Sequence, residues 1–142
     1  MQTSLPKFNH IEHTADAGIK VFASDMKTLF ENAAAGLFDL ITNLDKVACR
    51  DFRDVHVEST DREALLVRWL SELNYLFLTQ EMIFADFEIS QLNERRLLAR
   101  IGGEPLDLDK HEIYTEVKAV TYHGLYIEER SNGCEAQIIF DL

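Results

Sequence analysis

Two stretches of the chain carry apolar side chains at three- and four-residue spacing, and this pattern constrains the fold most. Such a stripe is typical of an amphipathic helix packed on a core. The first stripe consists of Leu29, Phe30, Ala33, Ala34, Leu37, Phe38 and Ile41, and the second of Leu65, Leu66, Trp69, Leu70, Leu73 and Phe77. Ser24 or Asp25 can cap the first helix, and residues 60–63 match a capping box. We therefore predict two helices, at residues 26–42 and from residue 60 to about residue 78.

The rest of the chain has the pattern of β-strands joined by turns. The alternation of apolar and polar residues predicts strands at 7–12, 19–22, 51–59, 82–91, 96–101, 116–129 and 134–141. Gly102, Gly103 and Pro105 are expected to end the strand at 96–101. With no internal repeat and no linker, residues 1–142 are predicted to form a single domain of the α+β class. Its two layers would be two helices packed on a mostly antiparallel sheet.

The net charge disfavours one class of function and suits others. The 142 residues include 14 basic and 25 acidic side chains, which gives a net charge of −11. Such a surface repels phosphate backbones, so direct and stable binding of nucleic acid is not expected. It suits the capture of a metal ion or docking onto a basic protein partner. A merely solvated acidic surface is the commoner explanation for such charge taken alone.

Nothing in the sequence indicates a membrane or an oxidising compartment. No apolar run approaches the ~20 residues of a membrane span, and residues 1–7 lack the layout of a signal peptide. We therefore expect a cytoplasmic protein. Cys49 and Cys134 are far apart in the sequence and are interpreted as small structural residues, not as a disulfide framework or a zinc motif.

The end of the chain predicts a site for a divalent cation. Residues 138–142, IIFDL, form an apolar strand-like run that ends on an acid. If this strand is packed, the Asp141 carboxylate, the last carbonyls and the terminal carboxylate are held together. A cluster of hard anionic oxygens is costly without a cation, and Ca²⁺ or Mg²⁺ fits it better than Zn²⁺. The run HTADAG at residues 13–18 supplies Asp16, so the predicted ligands are Asp16, Asp141 and the carboxylate or carbonyl of Leu142.

The turn at residues 131–133 lets the register of the last hairpin be counted. With a three-residue loop, His123 lies opposite Asp141, and directly opposed residues share a face of the sheet. With a two-residue loop the register slides by one, and Gly124 takes that place. We therefore predict that His123 and His13 bind the cation or contact its ligands.

Each of these residues also has an explanation that needs no metal. Asp16 can be a turn residue whose carboxylate accepts backbone N–H groups, and His13 a partly buried imidazole with satisfied hydrogen bonds. His123 can be an ordinary strand residue, and Asp141 a solvated terminal one. The histidines at positions 10, 56 and 111 belong to no constellation. The sequence contains no phosphate-binding Gly-rich loop, no His-Glu-x-x-His and no Gly-x-Ser-x-Gly.

Five stretches of the chain are specific in combination: IEHTADAG at residues 11–18, LFENAA at 29–34, LVRWLSEL at 66–73, KAVTYHGL at 118–125 and IFDL at 139–142. Through them the chain resembles the archease family over nearly its whole length. Ala17 stands where the family more often has a larger aliphatic residue. This small departure alters packing beside Asp16 and leaves the proposed ligand intact.

The resemblance implies an accessory protein, not an enzyme, that activates an RtcB-type RNA ligase. That ligase joins RNA ends with a 2′,3′-cyclic phosphate or 3′-phosphate to 5′-hydroxyl ends, in tRNA splicing and RNA repair. It first forms a covalent guanylate on its own histidine, using GTP and a metal. Archeases accelerate this activation and support multiple turnover. By the same resemblance Asp16, Asp141 and Leu142 are ligands of a Ca²⁺-type cation, with Mg²⁺ or Mn²⁺ as alternatives; His13 and His123 come from spacing alone.

Two other functions compete with this expectation. One is a metal-dependent phosphoesterase that uses the same carboxylates with His123 as acid and base, although the candidate ligands are few for a two-metal site. The other is a general chaperone-like binder, which requires a large exposed apolar patch. Both helical stripes are expected to face the core, and this counts against such a patch.

Overall fold

The computed structural model describes residues 7–12 and 16–142, so the predicted site residue His13 lies outside the described residues. The described part contains two α-helices, eight β-strands and a short 3-10 helix at Leu44–Lys46. In chain order the main elements are β1 (Phe8–Glu12), β2 (Asp16–Ala23), α1 (Met26–Ile41), β3 (Asp51–Glu58), α2 (Arg62–Gln80), β4 (Met82–Leu92), β5 (Arg96–Pro105), β6 (Ala119–Val120), β7 (Tyr126–Arg130) and β8 (Gly133–Asp141). Neither helix among these elements is long and apolar enough to cross a membrane.

The strands form two antiparallel sheets. The first has the order β1-β2-β8-β6, with β7 also paired to β8, and the second has the order β3-β5-β4. Helix α1 packs on β2 of the first sheet and β4 of the second, while α2 packs on β3 and β6. Apolar side chains from both helices and both sheets form one continuous core. The predicted α+β class, with two helices on antiparallel strands, is confirmed; the division into two sheets was not predicted.

Both helices begin at an aspartate that caps the first turn. The Asp25 carboxylate accepts the N–H of Thr28 at 2.7 Å, and the Asp61 carboxylate accepts the N–H of Ala64 at 2.8 Å. The predicted capping box, which would begin at Thr60, is therefore wrong by one residue, because Asp61 itself reaches the orphan N–H. Every residue of both predicted stripes is at most 7% exposed, so the inward faces of the helices are confirmed.

The single tryptophan joins the two helices to the second sheet. Trp69 on α2 is fully buried, and its indole Nε1 donates to the Phe30 carbonyl of α1 at 3.0 Å. Its ring meets Phe87 of β4 edge to face, with 6.5 Å between centroids. Phe38 of α1 stacks on the same Phe87 ring at 5.8 Å. The aromatic packing therefore fixes α1, α2 and β4 relative to each other.

Strand β5 continues through two glycines that were expected to end it. A Cβ on Gly103 would lie 1.8 Å from the Ile83 carbonyl oxygen, so β4 and β5 approach each other more closely than another residue allows. A glycine within a strand often marks such a close approach of two backbones. The strand therefore extends as far as Pro105 and carries Glu104 into the protein interior.

The predicted long strand at 116–129 is wrong, and so is the register counted from it. The chain forms only the two-residue β6, turns at His123 and Gly124, and resumes as β7. Five residues, 121–125, lie between Val120 and Tyr126, whereas only two, 138–139, lie between their partners Phe140 and Gln137 on β8. Gly124 has a φ of 65°, a left-handed conformation that glycine adopts without strain.

The hairpin loop consists of Ser131 and Asn132, with Arg130 opposite Gly133, so the register already differs at the turn from both counted registers, and the extra residues shift it further. Ala119 lies opposite Asp141, in place of the predicted His123 or Gly124. Side-chain contacts with β8 hold the excursion: the Thr121 hydroxyl donates to the Ile139 carbonyl at 2.8 Å, and the Gln137 amide donates to the Gly124 carbonyl at 2.8 Å.

Candidate functional site

Asp16 and Asp141 face each other across the first sheet. Asp16 opens β2, Asp141 closes β8, and the two residues are direct partners in the antiparallel register. The adjoining pair, Ala17 and Phe140, is buried at 5% and 0% exposure. Because directly opposed residues project from the same face, the two aspartate side chains are neighbours. The expected meeting of these aspartates is observed, and Asp16 is a strand residue, not a turn residue. Their role as metal ligands stays a prediction.

The last residues of the chain are held from both sides. Asp141 pairs with Asp16 on β2 and with Ala119 on β6. The Lys118 N–H donates to the Asp141 carbonyl at 2.7 Å, and Leu142 packs against the margin of the core. The position of Asp141 therefore depends on two segments that are distant from each other in sequence.

A cleft of about 470 Å³ opens beside Asp16 and Leu142. Its lining consists of His10, Asp16, Ala17, Asp39, Leu40, Tyr114, Thr115 and Leu142. Asp39 lies on α1, and its carboxylate is 3.1 Å from Nε2 of His10 on β1. Sequence reasoning missed both residues. Asp39 follows the buried Phe38 and falls outside the apolar stripe, which gives it no signal beyond that of any solvated helix residue.

His123 is not part of this cleft. It lies exposed in the turn between β6 and β7, and its backbone N–H donates to the Thr121 hydroxyl at 3.3 Å. It neither pairs with Asp141 nor belongs to the cleft lining. The structure therefore brings together Asp16, Asp141 and Leu142. His123 does not join them through the predicted register.

The three predicted ligands, Asp16, Asp141 and Leu142, offer only oxygen atoms to a metal ion. Among residues 7–12 and 16–142, no group of three or more His, Cys, Asp and Glu side chains is arranged to hold a metal ion. A cation between Asp16 and Asp141 would therefore need further oxygens from the main chain, the Leu142 carboxylate or water. Carboxylates mixed with carbonyls and water are the ligands that Ca²⁺ and Mg²⁺ accept. The donor set fits a hard divalent cation and does not fit a structural zinc site.

Residues 111–118, which we call the strap, form one wall of the cleft and lead to Asp141. At the end of α1, the Thr42 hydroxyl donates to the Glu112 carbonyl at 2.6 Å. The Tyr114 N–H donates to the Ile41 carbonyl at 2.7 Å. The strap follows β5 without joining a sheet until β6, so these contacts take the place of a strand ladder.

A second set of contacts attaches the strap to α2 and to β5. Asn74 on α2 is 4% exposed and donates through Nδ2 to the carbonyl of the fully buried Val117 at 2.8 Å. His111 at the start of the strap is 1% exposed, and its Nε2 is 2.9 Å from Glu104 Oε2. The strap is thus anchored at its beginning, its middle and its end.

Glu104 is a buried carboxylate surrounded by donors. Oε2 accepts the Lys110 ammonium at 2.7 Å and the Ala48 N–H at 2.8 Å, and Oε1 accepts Arg50 at 3.1 Å. The Lys110 hydrogen bond, followed by the Ala48 N–H, lowers the pKa of Glu104 from 4.5 to about 2, against the opposing effect of desolvation. Glu104 therefore stays ionised at neutral pH, as an acceptor for His111.

Another cleft of about 440 Å³ lies near the beginnings of both helices. It is lined by Met26, Lys27, Arg62, Ser90, Leu92, Asn93 and Glu94. The Arg62 guanidinium is already paired with Glu129 at 2.6 Å and lies 3.6 Å from Glu94. Because these carboxylates neutralise the Arg62 guanidinium, this group has little charge left to bind a ligand. The cleft beside Asp16 is therefore the stronger candidate for a functional site.

Comparisons with known proteins agree on one family. The family model described as the Archease protein family (MTH1598/TM1083) matches residues 8–142. The protein archease of Methanosarcina acetivorans is 38% identical, over 96% of each chain. That of Pyrococcus abyssi is 39% identical, over 97% of this chain and all of the other. That of Thermococcus kodakarensis is 41% identical, over 96% of this chain and 99% of the other.

Solved structures show the same architecture. The solution structure of Methanobacterium thermoautotrophicum protein 1598 has a TM-score of 0.79 and 33% identity, and the match covers 96% of this chain and 99% of that one. A crystal structure of an archease from Thermotoga maritima, TM1083, described as a possible chaperone, has a TM-score of 0.55. It is only 18% identical, over 100% of this chain and 99% of that one, and so supports the fold alone.

Proposed function

Because the chain belongs to the archease family, we propose that it is an accessory protein that activates an RtcB-type RNA ligase. It would promote guanylation of the ligase and its multiple turnover in tRNA splicing and RNA repair. The observation that supports this most directly is the pairing of Asp16 with Asp141 beside Leu142. In this register two acidic residues from distant segments are direct neighbours on adjoining strands.

The carboxylate pair has a physical reason to hold a cation. Like charges directly opposed on neighbouring strands repel each other, and a divalent cation between them relieves this repulsion. Asp16, Asp141 and the carboxylate or carbonyl of Leu142 would hold it, with Ca²⁺ as the first choice and Mg²⁺ or Mn²⁺ as alternatives. When bound, such an ion supplies positive charge that offsets the charge on the ligase's triphosphate during guanylate transfer.

The charge of the protein favours a protein partner over RNA. With a net charge of −11, the surface repels a phosphate backbone. It attracts a basic protein surface, and a ligase that binds RNA and GTP carries such surfaces. The protein would therefore act on the ligase itself, without gripping the RNA substrate.

A guanylation time course with purified ligase and GTP tests the proposal. Wild-type protein should accelerate guanylation, and Asp16→Ala and Asp141→Ala should lose most of that acceleration. Asp54→Ala is the matched control, because it removes an exposed carboxylate from β3 of the other sheet. Calorimetric titration with Ca²⁺ should show binding to the wild type and the control, and not to the two site variants. Undiminished acceleration by Asp16→Ala would count against the carboxylate pair.

The two competing functions make different predictions. The phosphoesterase alternative needs His123 as acid and base beside the carboxylates, and the residue opposite Asp141 on β6 is Ala119, not His123. The chaperone-like alternative predicts effects on unrelated client proteins, so an aggregation assay with such a client, run beside the guanylation assay, separates the two activities.

A further inference from the structure

Most buried polar side chains of the described residues contact the strap. In the described part of the chain, the buried polar or charged residues are Asn32, Thr42, Asn74, Glu104 and His111. All except Asn32 either belong to the strap or hydrogen-bond to it. Buried polar contacts add little net stability, because desolvation offsets most of what the hydrogen bond returns. Because so many of these contacts involve one irregular segment, we infer that they serve to fix the position of the strap.

The strap presents one large aromatic side chain to solvent. Tyr114 is 54% exposed, although its own N–H is bonded to the end of α1. It lines the cleft together with Asp16 and Leu142. A tyrosine on an anchored backbone loses little conformational freedom on binding, and tyrosines are enriched among the residues that dominate interface energies.

Alternate residues of the strap point outward, and they are acidic on both sides of the tyrosine. Glu112 and Glu116 are exposed and flank Tyr114 by two residues each, whereas His111 and Val117 are buried. Residues 113 and 115 between them are only partly exposed, so the three exposed side chains share the outward side of the strap. The outward side of the strap is therefore an aromatic ring between two carboxylates, next to the cleft.

We propose that this outward side, Glu112, Tyr114 and Glu116, is a docking element that binds a basic patch on the RNA ligase beside the carboxylate pair. The inference rests on the proposed function for the identity of the partner. The charge of the flanking glutamates and the net charge of −11 select a basic protein surface. Tyr114 contributes the buried contact area, and the glutamates orient the approach. The buried anchors fix the element before the ligase arrives, so little ordering is needed on binding.

Tyr114→Ala and Tyr75→Ala form a matched pair for the test. Tyr75 on α2 is 57% exposed, close to the 54% of Tyr114, and it does not line the cleft. Binding of each full-length variant to purified ligase is measured at equilibrium, and guanylation is followed over a range of variant concentrations. We expect Tyr114→Ala to weaken binding by about tenfold or more and Tyr75→Ala to change it by less than about twofold. Tyr114→Ala should need about tenfold more protein than the wild type for the same acceleration of guanylation, in line with its weaker binding.

The outcomes separate docking from activation. Equal binding by the two tyrosine variants, whether both are unchanged or both are weakened, would overturn the docking role. A wild-type protein that binds the ligase but does not accelerate guanylation would refute the proposed function, and the tyrosine comparison would still decide the docking element. A wild-type protein that does not bind the ligase would overturn both. Both side chains are exposed, so thermal unfolding of the two variants should match that of the wild type.

Discussion

Replacement of Asn74 by leucine should loosen the strap selectively. The substitution keeps a side chain of similar size but removes the donor to the Val117 carbonyl, which lies in the interior. An unsatisfied buried carbonyl costs about 1–3 kcal/mol. Within the described residues Asn74 Oδ1 is itself buried without a hydrogen-bond partner. Leucine removes this unsatisfied acceptor too, and the gain offsets part of the cost at the Val117 carbonyl. We expect the free energy of unfolding to fall by about 1–2 kcal/mol in urea titrations.

The loss of stability should appear as local opening at Lys118, whose amide donates to the Asp141 carbonyl. Its hydrogen exchange, followed by NMR, should accelerate by about tenfold in Asn74→Leu because the strap opens without the core. Asn32→Leu is the control: Asn32 is 9% exposed and donates to the Phe22 carbonyl at 2.9 Å, away from the strap. If both variants accelerate exchange at Lys118 in proportion to their loss of global stability, the strap has no independent anchor at Asn74.

The remaining predictions concern the end of β5. A carboxylate with a depressed pKa stabilises the fold above its unfolded pKa, so the contribution of Glu104, at most about 3 kcal/mol, should disappear as the pH falls from about 4.5 to about 2. In urea titrations, the free energy of unfolding should fall less between pH 6 and pH 3 for Glu104→Gln than for wild type. An equal fall in both proteins would contradict this. Gly103→Ala puts a Cβ 1.8 Å from the Ile83 carbonyl and should destabilise by about 3 kcal/mol or more. Gly102→Ala meets the half-exposed Phe52 ring at 2.7 Å, which can move, so it should unfold at a higher temperature than Gly103→Ala.

The helices could be predicted because they rest on local pattern, whereas the meeting of the two aspartates was expected from the need for further oxygen ligands and from the family resemblance. An apolar stripe at helical spacing determines which face is buried, and tertiary packing has no reason to reverse it. An apolar run that ends on an acid determines where Asp141 lies if the strand is packed. The helix starts were less certain, because Thr60 and Asp61 are both good caps and only the backbone geometry selects between them.

The register at Asp141 and the strap could not be predicted, because both depend on contacts between distant segments. Counting back from a hairpin assumes an unbroken strand, and the excursion at residues 121–125 depends on Gln137 and Ile139 of the opposite strand. The strap has no periodic apolar pattern. Its anchors carry a weak signal at best: Asn74 is a polar residue on the buried side of α2, and this could have indicated a partner in the interior.

The packing of Trp69 has a practical consequence for all of these experiments. It is the sole tryptophan of the chain, fully buried between α1, α2 and β4 and outside the lining of the cleft. Its intrinsic fluorescence should change when the helices separate from the second sheet. It should not change when the strap detaches or when the carboxylate pair binds an ion. The wavelength of tryptophan emission and the exchange of the Lys118 amide thus give independent signals. The first reports on the core around Trp69 and the second on the strap beside the cleft.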